Sequence, residues 1–87
     1  HPFYWYSMPP LLKQWLDLVL EYGWAYGKEG IQLRNKKLFN AITTGGTFEA
    51  YQKEGHNRYT ITELLYPLDQ TAFLCKMTYY PPFVVHG

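Results

Sequence analysis

Two short stretches hold residues whose types and spacing suit chemistry. Thr43-Thr44-Gly45-Gly46 follows an apolar run. A glycine pair at a strand's end lets the backbone turn sharply and bring N–H groups close to a ligand. Near the start, Phe3-Tyr4-Trp5-Tyr6 sets four aromatics in a row ahead of Pro9-Pro10. Neighbouring side chains leave an extended segment in different directions, so the four rings cannot all enter one core. Some must cover a flat ligand or a partner subunit. Pro10 can open a helix, because first-turn N–H groups lack intrahelical partners and proline's φ is already near the helical value. An aromatic loop feeding a helix start suits a planar, anionic cofactor. Each stretch also has a plainer reading: an ordinary turn for TTGG, and an aromatic-rich core corner for the opening run. The residues alone leave both pairs of readings open.

The whole chain bounds the choice. Its 87 residues make one domain or less, with a thin core. It starts at His1 and stops just after Phe83-Val84-Val85, so it is expected to be a portion of a larger domain. A formal charge of +1, with basic residues scattered apart from Arg34–Lys37, argues against a nucleic-acid surface. The one cysteine, Cys75, forms no internal disulfide and fits a reducing compartment. No apolar run is long enough to span a bilayer, and no signal-peptide pattern is present. A cytoplasmic protein is the expectation, and no metal site is expected.

The elements that must position these residues follow in order. Pro10 to Tyr22 reads as a helix with one narrow polar stripe, Lys13, Asp17 and Glu21, and a wide apolar face that needs cover. Gly23 is the expected stop. Trp24 to Gly30 is an aromatic loop closed by glycines, read either as a surface loop with two packed rings or as a binding lip or dimer contact. Lys37 to Thr44 reads as a strand buried on both faces. Gly46 to Tyr59 is polar and carries Tyr51 and His56, residues that by themselves read as an ordinary polar loop. Thr60 and Glu63 form a capping box for a helix from about Ile61 to Leu74. Pro67 should kink that helix or delay its regular part. Leu64, Leu65, Leu68, Thr71, Ala72 and Cys75 mark its buried face. Lys76 to Val85 reads as a last strand, made an edge or bulged strand by Pro81-Pro82. Loop–helix–strand–loop–helix–strand is the order of a doubly wound α/β fold with a parallel sheet. In such sheets ligands bind at the carboxyl ends of the strands, where both the aromatic run and the TTGG turn would lie.

HPFYWYSMPPLLKQWLD, GWAYG, ITTGG with Tyr and His following, and LLYPLDQTA together resemble the flavodoxin-like NAD(P)H:quinone oxidoreductases. The likeness is to the short bacterial branch, which includes general-stress-type reductases and ancillary subunits of glutathione-gated potassium efflux systems. It covers nearly the whole chain. P-x-x-W-[YF]-x-x-P-x-x-L-K combined with TTGG is specific, although each piece alone is not. The family's opening strand, phosphate-binding loop and helix, its second strand–helix unit and its closing helix have no counterpart here. The chain therefore matches the C-terminal part of one flavodoxin-like domain, residues 1–87.

The resemblance implies a bound flavin, FMN or alternatively FAD, reduced by NAD(P)H and reoxidised by a quinone or similar acceptor. It places Pro2, Phe3, Tyr4, Trp5 and Tyr6 along the isoalloxazine, and Thr43, Thr44, Gly45 and Gly46 at its pyrimidine side. Tyr51 and His56 match the family's tyrosine and histidine near the reduced flavin, with a Tyr–His spacing one residue shorter than in the longer eukaryotic-type enzymes. Tyr26 matches a tyrosine that reaches a neighbouring subunit's site, which implies a homodimer. The chemistry suits these roles. Hydride transfer leaves negative charge around flavin N1 and O2, which backbone N–H groups, a tyrosine hydroxyl and a histidine can stabilise. Two other functions stay open: a regulatory subunit of a potassium efflux transporter, peripheral at the inner membrane, and an inactive fragment.

Overall fold

The computed structural model describes all residues, 1–87. Four short strands lie in two parallel pairs. β1 (Lys37–Leu38) pairs with β3 (Thr78–Tyr79), and β2 (Ala41–Thr43) pairs with β4 (Phe83–Val85). The opening segment joins them: Pro2 bridges Thr43 in parallel, with Phe3 N–H donating to Thr43 O at 3.0 Å and Thr43 N–H donating to His1 O at 3.1 Å. The aromatic run therefore leaves the carboxyl end of an extended segment beside β2. The expected fold class holds: a parallel sheet, with helices in the connections between its strands.

The two expected long strands are each broken once, at the same level. Lys37 is paired with Thr78, but Ala41 with Phe83, so the second line carries one extra residue between the pairs. Tyr80-Pro81-Pro82 stands opposite Phe39-Asn40, and the prolines have no N–H for a ladder. Pairing resumes where Phe83 N–H donates to Asn40 O at 2.8 Å. The bulge expected from Pro81-Pro82 is present.

Burial on both faces of the Lys37–Thr44 strand is not found. Ile42 is buried, whereas Ala41 and Thr43 are exposed, and Val84 is half-buried between exposed Phe83 and Val85. Within this chain the helices cover one face of the sheet. The core on that side is small, as the length requires: Phe3, Ile42, Tyr51, Ile61, Leu65 and Leu68, with Met8, Leu16, Leu64 and Tyr79 packed against it.

α1 (Pro10–Val19) starts at Pro10, as proline at the first helical position favours. It ends before the expected Tyr22. The chain leaves the helix at Leu20, and Glu21 O instead accepts from Trp24 and Ala25 N–H, starting a separate turn around buried Ala25. Gly23, with φ +82°, serves that turn and not the helix end. The wide apolar face is not buried: Leu11 is 75% and Leu18 66% exposed, and only Leu16 reaches the core. Lys13 and Asp17 pair at 2.6 Å on the exposed side, where such a pair adds little.

The second helical stretch splits in two, α2 (Ile61–Leu64) and α3 (Tyr66–Leu74). The break at Leu65 lets Pro67 fall in the first turn of α3, where its missing N–H costs nothing. The capping box forms in full. Glu63 N–H donates to Thr60 Oγ1 at 3.1 Å and Thr60 N–H to Glu63 Oε1 at 3.0 Å. Leu65, Leu68, Ala72 and Cys75 are buried on the predicted face. Burial raises the Cys75 thiol pKa, which makes it a core residue and a poor nucleophile.

Candidate cofactor site

The opening run does not continue as a strand. Tyr4–Tyr6 closes a single tight turn in which Trp5 (φ 45°) and Tyr6 (φ 63°) are both left-handed. Two consecutive non-glycine residues in that region cost on the order of 1 kcal/mol each, held here by the Phe3–Thr43 ladder before them and by Ser7 N–H donating to Tyr4 O at 2.9 Å. The turn throws the rings apart. Phe3 points inward and meets Tyr51 edge-on, at 5.8 Å between ring centres. Trp5 is 90% exposed, and Tyr4 and Tyr6 are also exposed. The run thus divides as its crowding demanded, with one ring in the core and three outside.

Across from it, β2 ends in the glycine turn. Thr44 is buried, and its hydroxyl donates to Gly46 O at 2.9 Å. The backbone N–H groups of Gly45 and Gly46 take no part in the chain's backbone hydrogen bonds, nor do those of Tyr4 and Trp5. Neither glycine has positive φ, so steric relief by a left-handed turn is not their role here. Gly45 faces open space where a Cβ would stand, while a Cβ on Gly46 would lie 3.1 Å from the Tyr51 ring. Close approach, to the cleft at one glycine and to Tyr51 at the other, is what the pair supplies.

Tyr51 closes the short helical turn Phe48–Tyr51 and is buried. Burial, and next the neighbouring Tyr6 hydroxyl, push its phenol pKa up, so it stays a neutral donor. Its hydroxyl is not engaged in the chain's side-chain hydrogen bonds.

These pieces meet in one cleft of about 250 Å³, lined by Phe3, Trp5, Tyr6, Gly45, Gly46, Tyr51 and Asn57. Six of the predicted site residues, Phe3, Trp5, Tyr6, Gly45, Gly46 and Tyr51, share that cleft. Pro2 and Thr43 form the ladder beneath it, Thr44 braces the turn, and Tyr4 stands outside. His56 is exposed and lines a neighbouring depression with Tyr6, Asn57 and Arg58; it makes no hydrogen bond to Tyr51. Tyr26 lies elsewhere, between α1 and α3 with Leu16, Leu20 and Leu68, its ring edge-on to Tyr22 at 5.7 Å.

Two residues at the site escaped the sequence reading. Asn57 accepts from the Tyr6 hydroxyl at 3.3 Å and so separates the cleft from the His56 depression. His86 stands behind the glycine turn, its ring 6.1 Å from Tyr51. Nothing in the polar loop marked Asn57. His86 had a signal: it follows the apolar run Phe83–Val85, and the rule placing ligands at strand carboxyl ends applies to that strand too.

No cation lines the cleft, so its chemistry suits the ring system of a planar cofactor and not its phosphate. Unpaired N–H groups, a neutral tyrosine and exposed rings fit the pyrimidine edge and face of an isoalloxazine.

The family model for the flavodoxin-like fold matches residues 1–87. The chain belongs to that family. It is 55% identical over 86 residues to general stress protein 14 of Bacillus subtilis, and 48% identical over 86 residues to KefF, the glutathione-regulated potassium-efflux system ancillary protein of Klebsiella aerogenes. Each match covers 99% of this chain, but 49% and 48% of the relative, so the chain spans about half the length of these relatives. Among solved structures, general stress protein 14 of Treponema denticola, in complex with FMN, superposes with a TM-score of 0.95 at 45% identity, covering 98% of this chain and 49% of that one. A structure described as a thermophilic tryptophan halogenase from Streptomycin violaceusniger superposes with a TM-score of 0.96 at 53% identity, covering 98% and 49%. These names do not agree on one reaction, so the likeness establishes family and fold.

Proposed function

We propose that this chain forms the isoalloxazine-binding half of an FMN-dependent NAD(P)H oxidoreductase that reduces a quinone or similar acceptor. The observation that carries the reading is the cleft itself, which gathers Trp5, Tyr6, Gly45, Gly46 and Tyr51 from opposite parts of the chain around unpaired N–H groups. A relative solved with FMN favours FMN over FAD. Relatives named as an NAD(P)H oxidoreductase and an NADPH-quinone reductase support the reaction class.

When bound, the flavin supplies hydride acceptance from the nicotinamide and two-electron delivery to the acceptor. The residues do the rest. Gly45 and Gly46 N–H groups and the Tyr51 hydroxyl would hold the flavin's pyrimidine edge, where their dipoles would favour negative charge. Tyr51 remains protonated at neutral pH and so can donate. Trp5 and Tyr6 keep water off the ring face and offer a stacking surface for an aromatic acceptor. His56 lies outside the cleft, in the neighbouring depression with Tyr6 and Asn57, and would act only from there. Tyr26 and the exposed face of α1 meet a second subunit in a homodimer.

A steady-state assay of the full-length protein with NAD(P)H and a benzoquinone tests this reading. Turnover that depends on added FMN is expected, and no turnover with any nicotinamide–quinone pair contradicts it. The likeness to KefF favours a second reading, an ancillary subunit of a potassium efflux transporter, with the flavin site retained. Capture of transporter carboxyl-terminal domains by the full-length protein tests that role. Both readings place the protein in the cytoplasm, the second at the inner membrane.

A further inference from the structure

We propose that His86 is a positioning residue for the cofactor: its Nδ1–H ties the Gly46 carbonyl and the Thr44 hydroxyl together and so keeps the glycine turn's N–H groups turned outward. The proposal rests on the reading of that turn as a flavin seat.

Three observations carry it. His86 Nδ1 lies 3.2 Å from Thr44 Oγ1 and 3.3 Å from Gly46 O. A carbonyl only accepts, and the Thr44 hydroxyl already donates to that same carbonyl at 2.9 Å. Both neighbours therefore present lone pairs to Nδ1, which fixes the proton there and leaves Nε2 as the acceptor. The ring cannot drift from this position. It packs edge-on to Phe48 at 5.7 Å between ring centres and tilts against Tyr51 at 6.1 Å. The backbone on either side is held to the turn as well. Thr44 N–H donates to Val85 O at 3.0 Å, and a Cβ on Gly87 would stand 2.5 Å from the Gly45 carbonyl oxygen. The end of β4 is thus pressed against the back of the glycine turn, with one side-chain donor at the contact. A carbonyl that accepts from behind fixes its own peptide plane, here that of Gly46 O and Thr47 N–H. The Gly45 and Gly46 N–H groups lie between that plane and Thr44, the two points the His86 ring ties together.

The experiment compares three variants of the full-length protein, His86→Ala, His86→Asn and His86→Gln, by quenching of FMN fluorescence on binding. An asparagine amide can place an N–H near the Nδ1 position, whereas a glutamine amide reaches the Nε2 position. His86→Ala is expected to weaken FMN binding roughly tenfold, the scale of one lost hydrogen bond to a buried acceptor. His86→Asn should restore most of that affinity, and His86→Gln should resemble Ala. A ring that merely filled space would give the opposite order, because Gln is nearer to His in volume. Equal binding by all three variants and the wild type, or better rescue by Gln than by Asn, overturns the proposal. If the alanine variant fails to fold, the Asn–Gln order still decides. A wild-type protein that leaves FMN fluorescence unquenched overturns the flavin reading and this proposal together.

Discussion

The corner around the glycine turn and the face of α1 are both rich in aromatic and aliphatic side chains, yet they are held in different ways. At the corner, position is over-determined. Phe3 is clamped by a ladder to Thr43, Trp5 and Tyr6 are held left-handed, and Gly46 abuts the Tyr51 ring. On α1, Leu11, Trp15 and Leu18 stand in solvent with no fixed neighbour. Strain and close approach persist only where the surroundings enforce them, so the corner is built for geometry. An apolar face without such constraints suits burial against another surface, where shape is set on association. The comparison separates a site for chemistry from a site for assembly.

The sharpest way to break the comparison is at the two glycines. Gly46→Val forces a branched side chain against Tyr51 and is expected to weaken FMN binding by about a hundredfold while lowering the melting temperature, since overpacking costs about 1–3 kcal/mol. A Cβ at Gly45 meets no atom of the chain, so in Gly45→Val the flavin-free protein should melt as the wild type does while FMN binding falls. Equal loss of stability in both, measured calorimetrically without flavin, would contradict the distinct roles given to them.

Tyr51→Phe keeps the ring against Phe3 and removes one donor. FMN should remain bound. Flavin reduction by NAD(P)H, followed by stopped flow, should slow about ten- to a hundredfold, matching a lost hydrogen bond to a charged group of about 1.5–3 kcal/mol. A wild-type rate would take Tyr51 out of the mechanism.

On the assembly side, Leu18→Lys should shift sedimentation of the full-length protein from dimer to monomer. The monomer's own stability should change by no more than about 0.5 kcal/mol, as at an exposed position. A dimer that survives the charge would place the interface elsewhere.

The smallest expected effect is alkaline. Burial raises the pKa of Cys75 above its ordinary 9.0, and those of Tyr51 and Tyr79 above their ordinary 10.0. The folded state then keeps protons that the unfolded chain releases, so stability is full below about pH 9 and falls as pH rises through the folded values. Tyr51→Phe should flatten part of that decline in denaturant titrations; an unchanged slope would show that Tyr51 ionises as freely as in the unfolded chain.

Much of this was legible in the sequence because it depends on local rules. Thr60 and Glu63 announce a helix start by their spacing, Pro67 announces the break before it, and Thr43–Gly46 announces a strand end. What was not legible depends on neighbours distant in sequence. The break shared by Phe39-Asn40 and Tyr80–Pro82 exists only once the two strands are paired. The apolar face of α1 was read as needing cover, but composition records what a surface needs, not whether this stretch of chain supplies it. His86 lies 40 residues from Gly46 and touches it only through the β2–β4 pairing. His56 was joined to Tyr51 by the family resemblance, yet here Asn57 and the Tyr6 hydroxyl stand between the cleft and its depression.

The most direct test of the central claim is equilibrium titration of the flavin-free full-length protein with FMN, read by fluorescence quenching. The account predicts saturable binding of one FMN per subunit, weakened about a hundredfold in Gly46→Val. Binding that survives Gly46→Val undiminished, or no quenching at all by the wild type, would contradict it.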